Sequence, residues 1–144
     1  RWGDRRAAII DYEIHSSFGN DQVVFESGEN LKLMVYVQYF QDLTDLIYGC
    51  TVKTVDGQTV YGTNTRVRAI DVRDAEAGTT GTVCFQFDLN LVPGEYFMSL
   101  GVAVDDGERD NIAIDRRYDL VHITVSGDYG GFGLAQMNMS IAED

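Results

Sequence analysis

The sequence predicts an all-β domain, a two-sheet antiparallel β-sandwich, immunoglobulin-like or jelly-roll-like, with about seven or eight strands. Three observations predict it. Apolar and polar residues alternate with period two in run after run, each about 8–15 residues from the last. No segment carries a helical stripe. A single proline and 15 glycines punctuate the runs, as expected where short strands are joined by tight turns. At 144 residues and 44% hydrophobic, the chain fits one domain, residues 1–144, able to bury a core of its own.

Each element follows from this alternation. Arg1 to Ala7 is expected to be a linker remnant. From Ala8 to Ser16, Ile10, Tyr12 and Ile14 alternate with Ile9, Asp11, Glu13 and His15, which predicts a first strand. Phe18 to Asn30 is polar and glycine-bearing and predicts a loop. Leu31 to Phe40 predicts a long strand with Leu33, Val35, Val37 and Tyr39 inward. Leu46 to Thr65, LIYGCTVKTVDGQTVYGTNT, predicts a hairpin about Asp56-Gly57, since Asp-Gly suits a type I′ turn. Residues 65–80 read as irregular. Gly81 to Leu91 alternates, with Val83, Phe85, Phe87 and Leu89 inward. Val92-Pro93-Gly94-Glu95 is a turn, followed by a strand from Tyr96 to Val104. Asp105 to Asp115 reads as a solvated acidic loop, and Tyr118 to Val125 as a strand. A glycine-rich tether, 127–133, leads to a last strand from Phe132 to Ile141, with Ala135, Met137, Met139 and Ile141 on its apolar side.

Composition excludes several functions. The net charge is −12, from 23 acidic and 11 basic residues, which disfavours nucleic acid and anionic membranes as partners. No run reaches the ~20 apolar residues of a membrane helix. There is no phosphate loop, and the glycines of 127–133 lack a dinucleotide spacing. His15 and His122 share no ligand spacing, and the acidic residues of 105–115 lack the D-x-D-x-D-G order of a calcium loop, so no metal or other cofactor is expected. No nucleophile motif is present. Cys50 falls inward and Cys84 outward by parity, which predicts two free thiols.

What remains is a surface suited to sugars. A pyranose offers an apolar C–H face and a rim of hydroxyls, which proteins meet with an aromatic platform and with amide, hydroxyl and imidazole groups. Outward parity gives Tyr36, Gln38, Gln86, Phe97, Ser99 and His122 as candidate carbohydrate-binding residues. Gly101 and Ala103 leave room for a ligand's approach. A plain solvated face, or a protein–protein interface without sugar specificity, fits the same pattern.

Four stretches carry a family resemblance: Arg1-Trp2-Gly3, Phe25-x-Ser27-Gly28-Glu29, the hairpin's Asp56-Gly57-x-x-Val60-Tyr61-Gly62-Thr63-Asn64-Thr65, and Pro93-Gly94-Glu95-Tyr96. Together they resemble the C-terminal carbohydrate-binding domain of the ATP-binding subunit of bacterial O-antigen polysaccharide ABC transporters, the Wzt type. The resemblance implies the immunoglobulin-like sandwich and a non-catalytic domain that recognises an O-antigen polysaccharide, often at its non-reducing end. It also implies a lipid-linked glycan as partner, an ATPase domain N-terminal on the same chain, a transmembrane subunit, and a cytoplasmic location at the inner face of the inner membrane. A homodimer is expected, with residues 132–141 exchanged between copies. Thr63, Asn64 and Thr65 are read as structural, satisfying backbone groups at a strand end, with lining of the ligand site as the alternative.

Overall fold

Two β-sheets pack face to face in a computed structural model that describes residues 1–16, 23–107, 111–127 and 131–143, together with the backbone of 19 and 20. The strands are β1 (Ala7–Ser16), β2 (Gly19–Asn20), β3 (Val24–Glu26), β4 (Asn30–Tyr39), β5 (Leu46–Thr54), β6 (Thr59–Asn64), β7 (Thr80–Asp88), β8 (Gly94–Asp105) and β9 (Asn111–Ser126). One sheet is four-stranded in the order β2-β1-β4-β7, and the other five-stranded in the order β3-β9-β8-β5-β6. Pairing is antiparallel except between β3 and β9, which run parallel. Among the described residues there is no helix.

The core lies where period-two alternation puts it. On β4, Leu31, Leu33, Val35, Val37 and Tyr39 are buried, while Lys32, Met34, Tyr36 and Gln38 between them are half-buried on the outer face. On the facing sheet Tyr48, Cys50 and Val52 of β5, Tyr96, Met98, Leu100 and Val102 of β8, and Ile114, Val121, Ile123 and Val125 of β9 point inward. Each fully buried aliphatic side chain contributes about 1.5–3 kcal/mol, so this interlayer supplies most of the driving force.

Five features depart from the sequence reading, each for a local reason. The hairpin at Asp56-Gly57 forms, but only Gly57 has positive φ (+88°). Thr54 N–H donates to the Gln58 carbonyl at 2.9 Å, and the register slips between Val52 and Lys53. This is a three-residue loop with a glycine bulge rather than a type I′ turn. In β1 a register shift between Ile9 and Asp11 buries Ile9 and turns Ile10 outward, 52% exposed. The segment read as a loop from Phe18 to Asn30 contains β2 and β3; Phe25 is a core residue, and a strand this short offers too little alternation to detect.

β9 begins at Asn111, well before Tyr118, so Asp115 belongs to a strand and is fully buried. Finally, Phe132 to Ile141 is not a strand of its own sheet. It touches the body at one bridge, Leu91 to Ala135, and leaves Phe132, Met137, Met139 and Ile141 at 98%, 78%, 78% and 90% exposure. Glu108 and Asp110 of the acidic loop, part of the Gly19-Asn20-Asp21 turn and residues 128–130 of the tether lie outside the described residues.

The two sides of the sandwich end differently. Beside β1 and β9 the gap is closed by the N-terminal segment, read from sequence as a linker. Trp2 and Arg116 exchange backbone hydrogen bonds of 3.0 and 2.6 Å, and Arg5 N–H donates to the Ile114 carbonyl. Arg1 grips the buried Asp115 carboxylate through Nε and Nη2, at 3.0 and 2.8 Å, and Ile9 N–H donates to it at 2.8 Å. Burial alone would push this carboxyl up; the Arg1 bonds, the Ile9 amide and the Arg5 charge outweigh it and hold the Asp115 pKa below the usual value. Gly3 is required here: its φ is +135°, and a Cβ would sit 2.1 Å from the Ile114 carbonyl oxygen. On the opposite side, between the edges of β7 and β6, the sandwich stays open.

Candidate functional site

The six residues singled out from the sequence fall on two opposite outer faces. Tyr36 and Gln38 on β4 and Gln86 on β7 share the outer face of the four-stranded sheet. Phe97 and Ser99 on β8 and His122 on β9 share that of the five-stranded sheet. One ligand-binding patch therefore cannot use all six.

The four-stranded face is engaged with itself. Gln86 Nε2 donates to Asn30 Oδ1 and Asn30 Nδ2 to Asp88 Oδ1, both at 3.0 Å. Partial burial, then the Glu13 and Asp11 carboxylates beside it, push the Tyr36 phenol up.

The five-stranded face is different. His122 stacks on Phe97 with ring centroids 4.7 Å apart and an interplanar angle of 19°. His122 also hydrogen-bonds Glu95, which accepts a 2.8 Å bond from the Thr124 hydroxyl. The Thr124 hydroxyl, then His122, hold the Glu95 carboxyl below its ordinary value. The result is a pre-formed aromatic step at one end of the sheet.

Beside that step lies a groove of about 360 Å³. Its shape comes from the strand register. Asn64 on β6 pairs with Gly49 on β5, Gly49 with Gly101 on β8, Gly101 with Arg116 on β9, and Arg116 with Trp2 of the N-terminal segment. Residues paired in this way point to the same face, so one row across five chain segments reads Asn-Gly-Gly-Arg-Trp. The two glycines make the floor bare backbone over about three strand spacings, ~14 Å. The Arg116 stem leans over Gly101, and the Trp2 indole, 62% exposed, continues the row. Thr51, Ser99, Tyr118, Lys53 and Asn111 line the rest. Lys53 Nζ sits 5.5 Å from the Tyr118 ring centroid, a cation–π contact.

The Tyr61-Gly62-Thr63-Asn64-Thr65 string is in part a fold device. Asn64 Oδ1 accepts a 2.8 Å bond from Val67 N–H, and Thr65 Oγ1 a 3.1 Å bond from Tyr48 N–H. Gly62 and Asn64 also line the groove, so the string shapes the site as well.

Of the predicted residues, Ser99 lines the groove and Phe97 and His122 adjoin it. Gly49, Lys53, Asn111, Arg116 and Tyr118 were missed. For the β9 residues the signal was interrupted, since the β8–β9 ladder slips between Met98 and Leu100 and again between Val102 and Ala103; Gly49 and Lys53 keep outward parity on β5, but parity alone does not align them with Gly101 and Phe97.

A second hollow, about 780 Å³, opens between the β7 and β6 edges. Val83, Phe85 and Phe87 of β7 line it and are only half-buried. At its base the Tyr39 and Tyr48 hydroxyls meet at 2.5 Å.

With this geometry in hand, comparison with known proteins becomes specific. Residues 1–137 match the Wzt C-terminal domain family. This chain belongs to that family. It is similar to a solved structure described as the C-terminal domain of Wzt, with a TM-score of 0.91, 25% identity, and coverage of 99% of this chain and 86% of that one. A weaker likeness, to a β-glucosidase from Erythrobacter marinus, has a TM-score of 0.49 and 11% identity and spans only 15% of that enzyme. No curated protein matches the chain.

Proposed function

We propose that this domain is a non-catalytic carbohydrate-binding module that recognises an O-antigen polysaccharide, at its non-reducing end, in the groove on the five-stranded face. Family membership supplies the class, since Wzt C-terminal domains are in general carbohydrate-binding parts of O-antigen ABC transporters. The observation that carries the placement is the Asn64-Gly49-Gly101-Arg116 row. A backbone floor lets a sugar ring approach the sheet, with hydrogen-bonding side chains at its rim and the Phe97–His122 step alongside. The full reading adds an ATPase domain on the same polypeptide, a transmembrane subunit, and action on lipid-linked glycan at the cytoplasmic face of the inner membrane.

NMR titration of the ¹⁵N-labelled domain with purified O polysaccharides tests this. Shifts centred on Gly49, Thr51, Ser99, Gly101 and Arg116 are expected. Shifts confined to Tyr36, Gln38 and Gln86 would move the site to the other face. The absence of any shift would favour the alternative, an interaction or dimerisation module without sugar specificity.

A homodimer belongs to the same reading and has its own support. The apolar tail 132–141 is uncovered, and so is the apolar lining of the β6–β7 opening. The tail's four exposed hydrophobics and the Val83, Phe85 and Phe87 wall are complementary, and a second copy's tail satisfies both.

A further inference from the structure

We propose that the groove takes a sugar bearing an anionic group, a carboxylate or a phosphate, with Arg116 as the residue that holds the anion. This rests on the reading of the groove as a glycan site. The chain carries 23 acidic residues in 144, and a lining of this size drawn from it at random would hold about two or three of them. Among the described residues the groove is lined by no Asp or Glu, and by two cations, Arg116 and Lys53.

Nearby carboxylates are committed elsewhere. Asp105 pairs with Arg66 at 3.4 Å. Glu95 is held by His122 and Thr124. Asp119 meets the Ser99 hydroxyl. Asp115, next to Arg116 in sequence, faces the interior and is taken by Arg1 and Arg5. Among the described residues, the Arg116 guanidinium therefore has neither a carboxylate nor a hydrogen-bond partner, and it stands at the edge of the glycine floor.

A guanidinium presents a planar fork that matches a carboxylate or phosphate with two parallel hydrogen bonds. A neutral glycan gives no reason to keep carboxylates out, since Asp and Glu are good acceptors for sugar hydroxyls. An anionic one does. It approaches a protein of net charge −12 and is repelled unless the local field is reversed. A hollow without acids among the described residues, and with an arginine unpaired among them at the edge of its floor, is that reversal.

The test is NMR titration of the domain at low salt with methyl glucoside, methyl glucuronide, glucose 6-phosphate and inorganic phosphate. Both charged sugars are expected to bind about tenfold more tightly than methyl glucoside, and the tighter of the two names the anion. Arg116→Gln should abolish the preference, so that the charged sugars bind this variant within about twofold of methyl glucoside. Lys32→Gln, on the opposite face, removes the same charge from the protein and should leave the preference unchanged. Equal binding of all three sugars in the groove would overturn the anion preference and leave the glycan site standing. An effect of Lys32→Gln equal to that of Arg116→Gln would replace the local site with net charge, and phosphate binding as tightly as glucose 6-phosphate would reduce it to a generic anion site. Either result overturns the proposal. The absence of shifts with every sugar would overturn both it and the reading beneath it.

Discussion

The two hollows of this domain are opposites in chemistry. The opening between β7 and β6 is walled by Val83, Phe85 and Phe87 over the Tyr39–Tyr48 pair. The groove on the five-stranded face is floored by glycine backbone and rimmed by Asn64, Thr51, Ser99, Lys53 and Arg116. The larger hollow is not thereby the better ligand site. Half-exposed phenylalanines on an edge strand are unfinished core, and a sheet in that state stays open to pairing with another chain. A polar hollow built by deleting side chains from paired positions closes no core and serves only contact with something outside. On the proposed function the first hollow serves assembly and the second recognition.

The largest expected effect comes from removing the tail proposed to cover the first hollow in a dimer. Light scattering should find the full chain dimeric, and a chain ending at Ser126 monomeric and poorly folded. The shortened chain should be less stable by on the order of 3 kcal/mol in urea, the worth of covering two or three half-buried apolar side chains. A well-folded monomer for the full chain at high concentration would break the complementarity between tail and opening. A dimer that persists without the tail would relocate the interface.

A smaller, cleaner effect separates the hollows from the other side. Gly101→Val places a branched side chain on the groove floor. A Cβ there meets only the Arg116 Cγ, at 3.8 Å, an ordinary contact, and valine suits a strand. Stability should therefore stay within about 0.5 kcal/mol, while glycan affinity falls by about tenfold or more because the ring loses its approach. Affinity unchanged in this variant would remove the groove from the binding reaction. A large loss of stability would mean the two glycines are there for folding.

The sandwich, the β4, β5 and β8 faces and the hairpin were legible in the sequence because each depends on unbroken alternation. The site was legible only in part. Gly101 and Ser99 could be found from parity on one strand, but their alignment with Gly49 and Arg116 is a property of register. Toward β9 that register passes two slips in the β8–β9 pairing that leave no mark in the alternation. Asp115 misled for a related reason. In sequence it ends a run of exposed acids, and only the fold brings Arg1, 114 residues away, onto its carboxylate. Tyr36, Gln38 and Gln86 satisfy outward parity as well as Ser99 does, since parity identifies a face and not which sheet owns it.

The smallest effect is chemical and reports on the first hollow without disturbing it. Cys84 is exposed on the outer face and Cys50 is buried beneath the opening; both thiols are free. Burial pushes the Cys50 thiol up from 9.0 to about 12, because the thiolate would lose its hydration there. The thiolate is the reacting species in alkylation. At pH 8 an ordinary thiol of pKa 9 is about one-tenth ionised, and one of pKa 12 about one part in ten thousand. Iodoacetamide at pH 8 should therefore label Cys50 roughly a thousandfold more slowly than an ordinary thiol, before any further protection by burial, while the exposed Cys84 is open to the reagent. The sign for stability follows from the same shift. The folded-state pKa is raised, so the contribution is fully present below pH 9 and is lost as pH climbs from 9 toward 12, where the unfolded chain ionises and the folded one does not. If the tail of a second copy covers the opening, shortening the chain to Ser126 should speed labelling of the buried Cys50 while leaving the exposed Cys84 unchanged. Equal labelling rates in the full chain, or a disulfide joining the two cysteines, would place Cys50 outside the core and remove the distinction between a covered opening and an exposed face.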